Sequence, residues 1–306
     1  MTLSICTLGQ GRDAHLRNLV EGLRRQTMMP RELIIGVLQD RPYDLSPTPF
    51  PVHQIVLGSG SLGLAHARNA AARAASDDRI AFLDIDCIPS PDLVADYDDR
   101  LGDSDAIVMG EVLYLPAGAT QAGIDFERFA ELGEKHSERA GPPDTALGAC
   151  SDYRCFWSLN FAMRRDAFLA IGGFDEGYVG YGGEDTDFGR TAFEAGIDLR
   201  WCRGALAFHQ YHPHHMPPVH HLDSVLANAR HFRDKWGHFT MDHWLRAFEL
   251  MGLIEQRGDD YVRVRAPGAA EFALTAQQSH QPYASSASVL AILEARAGSS
   301  ADMAAA

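Results

Sequence analysis

Apolar residues in this chain form short unbroken runs, separated by stretches in which they recur at helical spacing. Residues 3–8 (LSICTL), 32–38 (ELIIGVL), 52–57 and 79–83 (RIAFL) have strand length and the continuous hydrophobicity of strands buried on both faces. Leu16, Leu19, Val20 and Leu23 repeat at i, i+3, i+4 and i+7, which predicts an amphipathic helix. Residues 64–75 (LAHARNAAARAA) are alanine-rich and predict a second. Pro91 opens a third at its favoured first position, running to about residue 101, and residues 106–109 return to strand. Four prolines make residues 41–51 a loop. This alternation predicts an α/β fold: a mostly parallel sheet with helices on both faces.

The pattern then changes. Residues 116–152 mix Gly, Ala and charge, with a helix expected near 125–138 and a break at Gly141-Pro142-Pro143, and read as an insertion over the sheet edge. Residues 156–163 (FWSLNFAM) are strand-like, 166–171 a short helix, 184–195 a helix and 199–208 a last strand. Six glycines fall within 172–183. Two helices are expected at 222–236 and 239–250. Beyond Pro267 the chain is rich in Ala, Ser and Gln, with one helix at 288–297 and a disordered tail at 298–306. The expected organisation is therefore residues 1–221 as the α/β domain (1–115, an insertion at 116–152, and 153–221), 222–266 as a helical extension, and 267–306 as a partly disordered tail. There are no internal repeats.

Charge narrows the function. Lys and Arg total 27 and Asp and Glu total 41, a net −14, which argues against a basic face for nucleic acid or anionic membrane. No apolar run approaches the roughly 18 residues of a membrane span, and residues 1–12 lack a signal-peptide pattern. Five cysteines, an odd number without a CxxC pair, suggest a reducing, cytoplasmic setting. Eleven carboxylates and two arginines lie between Asp77 and Glu111, most of them expected on a solvated helix face. Nine of the 14 histidines lie between His209 and His243.

Asp84 and Asp86 stand apart because they follow RIAFL, at the carboxyl end of a strand, where open α/β sheets bind ligands. In an extended segment alternate residues share a side, so both carboxylates are expected to face one hard cation, Mg²⁺ or Mn²⁺, which suits a diphosphate. Two glycine patterns compete for attention. Gly9-Gln-Gly11-Arg-Asp-Ala14 fits GxGxxA, and Gly58 to Gly63 fits GxGxxG. Asp13 in the first would repel a pyrophosphate, and the second reads as turn glycines. A second acidic element runs Gly172-Gly173-Phe174-Asp175-Glu176, then Gly180-Tyr181-Gly182-Gly183-Glu184-Asp185-Thr186-Asp187. Its carboxylates open a helix, whose dipole favours the ionised form, and an ionised carboxylate beside a sugar hydroxyl is a general base. The alternative is an acidic helix cap with turn glycines.

Together these pieces resemble the inverting family 2 glycosyltransferases of the GT-A fold, a Rossmann-like nucleotide-binding sheet here followed by a C-terminal helical extension. YVGYGGEDTDFGRTAFEAG resembles the motif that family shares with β-1,4-galactosyltransferases and bacterial chondroitin-type polymerases. WSLNFAMRRDAFLAIGGFDE resembles the segment over the donor sugar, and GLAHARNAA the family's ARN helix start. The resemblance implies Asp185 as catalytic base and Glu184 as the group binding the acceptor or orienting the base. It implies Asp86 as direct metal ligand, with Asp84 on the ribose or on the metal through water and Ile85 beside the donor. Arg68 is implied near the diphosphate or uracil and Thr7 in the nucleoside pocket, and Arg12 is a further candidate on the donor side. Asp40 stands where the family has an acidic pair, but the local sequence here is Leu38-Gln39-Asp40-Arg41-Pro42. Trp157, Asn160, Tyr181, Gly182 and Gly183 correspond to positions shaping the sugar sites. His209 aligns with the metal-binding histidine after the last strand, with His212 as the alternative.

The expected function is metal-dependent transfer, with Mn²⁺ or Mg²⁺, of a sugar from a UDP-linked donor to a carbohydrate or small-molecule hydroxyl with inversion. A nucleotidyltransferase of similar fold and a non-catalytic His-rich metal-binding protein are the alternatives. A helical HxxxH zinc site is spoiled by Pro213, Pro217 and Pro218.

Overall fold

The computed structural model describes residues 2–60, 63–102 and 104–305. The chain divides into two units, Met1–Val179 with Glu184–Tyr211, and Gly180–Gly183 with His212–Ala306. In chain order the first unit contains β1 (Ser4–Gly9), α1 (Asp13–Arg24), β2 (Glu32–Val37), β3 (Val52–Val56), α2 (Leu64–Ala74) and β4 (Arg79–Leu83). There follow β5 (Cys87–Pro89), α3 (Leu93–Leu101), β6 (Ile107–Met109), β7 (Val112–Tyr114), α4 (Phe126–Leu132), β8 (Glu134–Lys135) and β9 (Leu147–Cys150). β10 (Asn160–Arg164), α5 (Arg165–Ala170), α6 (Glu184–Glu194), β11 (Leu199–Cys202) and β12 (Ala207–His209) complete it.

The main sheet has eight strands in the order β3-β2-β1-β4-β10-β6-β11-β9. β3, β2, β1 and β4 are parallel, β10 runs antiparallel to both neighbours, and β9 adds an antiparallel edge. β1, β2 and β4 are buried along their whole length, as their largely apolar runs predict, with the polar Ser4, Thr7, Glu32 and Arg79 buried among them. Gly36 lets α2 lie directly on β2, since a Cβ there would stand 2.7 Å from the Ala67 carbonyl oxygen. A core of phenylalanines fills one face: Phe82 stacks on Phe161 at 4.8 Å and Phe174 on Phe188 at 4.2 Å. Such pairs contribute about 0.5–1.5 kcal/mol each beyond burial. They tie the loop carrying Phe174 and the helix α6 carrying Phe188 to the sheet.

A second sheet, in the order β5-β12-β7-β8, departs from the single sheet expected. The segment 116–152 is an insertion that contributes edges: β8 ends the small sheet and β9 the large one. The strand expected over 156–163 begins only at Asn160; a 3-10 turn at Tyr153–Cys155 and then a loop over residues 156–159 lead into it. Ser61 and Leu62 of the second glycine pattern lie outside the described residues.

The second unit contains α7 (Leu222–Trp236), α8 (Asp242–Leu250), the hairpin β13 (Ile254–Arg257) and β14 (Asp260–Arg263), α9 (Ala269–Thr275) and α10 (Ser286–Ala305). Its boundary with the first unit in sequence is Tyr211/His212 rather than residue 221. Where a tail is expected, α10 continues to Ala305, and its Val289 and Leu293 are buried with Leu245 and Phe248 of α8. Val289 and Leu293 are i, i+4 neighbours, the apolar stripe that a low-complexity alanine-rich segment conceals. The four residues 180–183 also belong to this unit. Ser224 and Asn228 of α7 hold them, Asn228 donating to the carbonyls of Tyr181 (3.3 Å) and Gly182 (2.8 Å).

Candidate active site

The chain turns sharply after β4. Cys87 N–H donates to the Asp84 carbonyl at 2.8 Å, so Asp84–Asp86 is a tight turn rather than an extended segment. This corrects the shared-side expectation, because each carboxylate finds its own partners. Asp84 accepts from Arg68 Nη2 at 3.3 Å. Asp86, buried, pairs with Arg12, and its Oδ1 lies 3.4 Å from His209 Nε2. Ile85 is buried against Gly9, where a Cβ would meet its Cδ1 at 2.4 Å.

Strand register brings His209 to Asp86. β12 pairs antiparallel with β5, matching His209 to Cys87, and Gln210 N–H donates to the Asp86 carbonyl at 2.7 Å. On its other side β12 pairs with β7, matching His209 to Tyr114, whose ring lies 4.7 Å from the imidazole. A carboxylate oxygen and an imidazole nitrogen at this distance form a donor set that suits Mn²⁺. His212, the alternative, is the first residue of the second unit.

Arg68 links the two acidic elements. It projects from α2, is 5% exposed, lies over the Phe174 ring at 5.1 Å, and has Nη1 3.8 Å from Glu184 Oε1. Glu184 and Asp185 open α6. Asp185 Oδ2 accepts the Ser158 N–H at 3.0 Å, while Oδ1 is buried without a hydrogen-bond partner. Burial and the Asp185 charge push Glu184 up to about 7, against Arg68. Removal from water raises Asp84, Arg68 pulls it down, and Asp86 and Asp185 push it up again, leaving it at about 6. Four carboxylates thus share one site with two guanidinium groups, a field that attracts a divalent cation.

The remaining expected residues are placed as follows. Thr7 is buried in β1 with its Oγ1 unpartnered. Asp40 is exposed and accepts the Ser59 N–H (2.9 Å) and hydroxyl (2.8 Å), which fixes the turn after β3. Asn160 is wholly buried: it accepts from Tyr97 Oη at 2.7 Å and donates to the carbonyls of Glu111 (2.9 Å) and Ala205 (2.7 Å). It therefore braces the junction of the sheets, and its polar atoms are already engaged. Trp157 packs on His136 at 5.0 Å and under Arg139 at 5.3 Å. Tyr181, Gly182 and Gly183 lie in the second unit, where the Tyr181 ring stacks between His221 (4.9 Å) and Trp244 (5.9 Å).

Sequence reasoning missed Tyr114, His136, Arg139 and the Ser158 amide. The first three come from the small sheet and the insertion, for which no motif exists, and a backbone donor leaves no trace in residue identity. It also missed the bracing pair Asn69 and Glu176. Asn69 donates to the Phe174 carbonyl and to Glu176 Oε1, both at 2.8 Å, and accepts the Phe174 N–H at 2.9 Å.

Comparison with known proteins fits this geometry. The model described as glycosyl transferase family 2 matches residues 12–169, and that described as the N-terminal domain of galactosyltransferase matches residues 145–216. The validoxylamine A glucosyltransferase of Streptomyces hygroscopicus subsp. limoneus is 25% identical over 269 residues, 75% of this chain and 56% of that protein. The chondroitin synthase of Escherichia coli is 28% identical over 173 residues, 49% of this chain and 25% of that one. This chain thus spans about half the length of the first and a quarter of the second. A crystal structure of GalNAc-T7 with UDP, GalNAc and Mn²⁺ superposes with a TM-score of 0.50 at 15% identity, covering 82% of this chain and 51% of that chain, and shares the GT-A fold. Among the described residues no helix is long and apolar enough to cross a membrane. With a family model covering half the sequence and the sheet, turn and acidic helix start described above, the chain belongs to glycosyltransferase family 2.

Proposed function

We propose that this protein transfers a sugar from a UDP-linked donor to an acceptor hydroxyl with inversion at the anomeric carbon, in a divalent-metal-dependent reaction. The observation that carries the reading is Asp185. Its carboxylate sits at a helix start, one oxygen fixed by the Ser158 amide and the other buried without a partner, beside the Asp84–Asp86 turn. That is a general base held in one orientation, with a lone pair ready for an acceptor proton.

Asp86 and His209 would hold Mn²⁺ or Mg²⁺, with Asp84 reaching it through water. When bound, the ion would neutralise charge developing on the leaving diphosphate. Arg68 and Arg12 add cationic donors toward the phosphates, and Thr7, Asp40 and Ile85 line the nucleoside side. Glu184, raised in pKa, donates or accepts a hydrogen bond at the acceptor and fixes Asp185. Trp157 packs beside the sugar. Proton removal by Asp185 on the face opposite the leaving group gives inversion.

Asp185→Asn tests the reading. Transfer should fall by about 10²–10⁴-fold, the usual share of a general base, with UDP binding in Mn²⁺ retained by calorimetry. Turnover near that of the unmodified protein would overturn the assignment.

A further inference from the structure

Arg139 has no part in that mechanism, and its surroundings are unusual. It follows the turn at His136 in the insertion, is 5% exposed, and lies between the rings of Trp157 (5.3 Å) and Trp201 (5.1 Å). Nη2 makes one long contact, 3.5 Å, to the Gly110 carbonyl, and Nη1 has no hydrogen-bond partner. Among the described residues no carboxylate forms an ion pair with it. A buried guanidinium without a counter-ion is costly: the two tryptophan faces offset part of that cost by cation–π attraction, and the unpartnered N–H donors leave the rest.

The same side chain lines a cavity of about 130 Å³, with Glu111, Leu113, Lys135, Pro142 and Trp201 among the walls. Lys135 is exposed at its rim. Glu111 is held by the Gly204 N–H at 2.7 Å. Arg139 and Lys135 against Glu111 leave one net positive charge at the cavity. A single negative charge balances it, whereas a phosphate dianion would leave the cavity with a net negative charge. Arg139 packs on Trp157, and the next residue, Ser158, holds Asp185, so the guanidinium is one packed side chain removed from the residue that fixes the base.

We propose that the Arg139 cavity receives the carboxylate of a uronic-acid sugar, bound by the guanidinium through charge-assisted hydrogen bonds. The proposal rests on the nucleotide-sugar reading above, and the carboxylate belongs to either the donor sugar or the acceptor. Two binding arms on the full chain with Mn²⁺ separate these sources. One compares UDP-glucuronate with UDP-glucose. The other, with UDP present, compares methyl β-glucuronide with methyl β-glucoside.

In one arm the acid should bind at least about tenfold more tightly than its neutral partner, because a buried donor left unpaired rejects the analogue lacking the acceptor. Arg139→Gln should bring that ratio close to one. Arg139→Lys should keep part of it, and Lys135→Gln, at the exposed rim, should lower it a few-fold. A simple packing role between the two tryptophans would lower stability in Arg139→Gln and leave the ratio unchanged. No acid preference in either arm, or a ratio indifferent to Arg139→Gln, overturns the proposal. Should Arg139→Gln fail to fold, the ratios of the unmodified chain and of Lys135→Gln decide it. Failure to bind UDP at all defeats the parent reading instead.

Discussion

Asn69 offers the most direct check on how the acidic helix start is held in place. Its amide makes three hydrogen bonds, two to the backbone of Phe174 and one to Glu176, and it is 2% exposed. Asn69→Ala removes all three and leaves the buried N–H and C=O of Phe174 without these partners. With net hydrogen bonds at about 0.5–1.5 kcal/mol and a further cost for stranded buried groups, the loss is roughly 3 kcal/mol. In a unit of roughly 200 residues each kcal/mol lowers Tm by about 2–4 °C, so thermal unfolding should move down by about 6–12 °C. Phe174 stacks on Phe188 of α6, so the same change should loosen the start of that helix. Differential scanning calorimetry on Asn69→Ala, Glu176→Gln and the double variant measures both the size and the coupling. The two losses should be less than additive, since they share a bond. A drop in Tm below about 2 °C for Asn69→Ala, or strictly additive losses, would refute the bracing argument.

Two further outcomes follow from the same region. Asp86→Asn should weaken Mn²⁺-dependent UDP binding by more than the roughly 10–100-fold that loss of a group supporting a metal ligand costs. Calorimetry with and without Mn²⁺ measures this, and an unchanged metal dependence contradicts the role given to Asp86. Burial alone would raise the Glu176 carboxyl, but hydrogen bonds from Asn69, His66 and Arg73 outweigh it and take it to about 2, below its ordinary 4.5. The folded value is the lower one, so the stabilisation is complete above about pH 4.5 and is lost as pH falls toward 2. Glu176→Gln should flatten that part of the Tm-against-pH curve; a curve parallel to that of the unmodified chain would sink the point.

The sequence was most legible where one physical cause acts locally. Unbroken apolar runs marked β1, β2 and β4, and helical periodicity marked α1. Position after a strand distinguished Asp84 and Asp86 from the other carboxylates between residues 77 and 111. What could not be read depended on distant pairing. The second sheet is made of three-residue strands, too short to show a period, and β8 has two residues. Its register, not the spacing of Asp84 and Asp86, is what brings His209 to Asp86. Asn160 resembled a sugar-site residue by motif, yet its environment engages both ends of its amide within the fold. Arg139 carried no signal, because an arginine in a charged insertion looks solvated until its neighbours are known.

The affiliation of residues 180–183 has a practical consequence for chain exchange. Their carbonyls and amides are anchored by α7, encoded some forty residues later, while the acids that follow them open a helix of the other unit. A truncation after Tyr211 would keep Glu184 and Asp185 but remove the anchors of the loop before them. Exchanging C-terminal segments between relatives has to move the glycine loop and α7 as a matched pair.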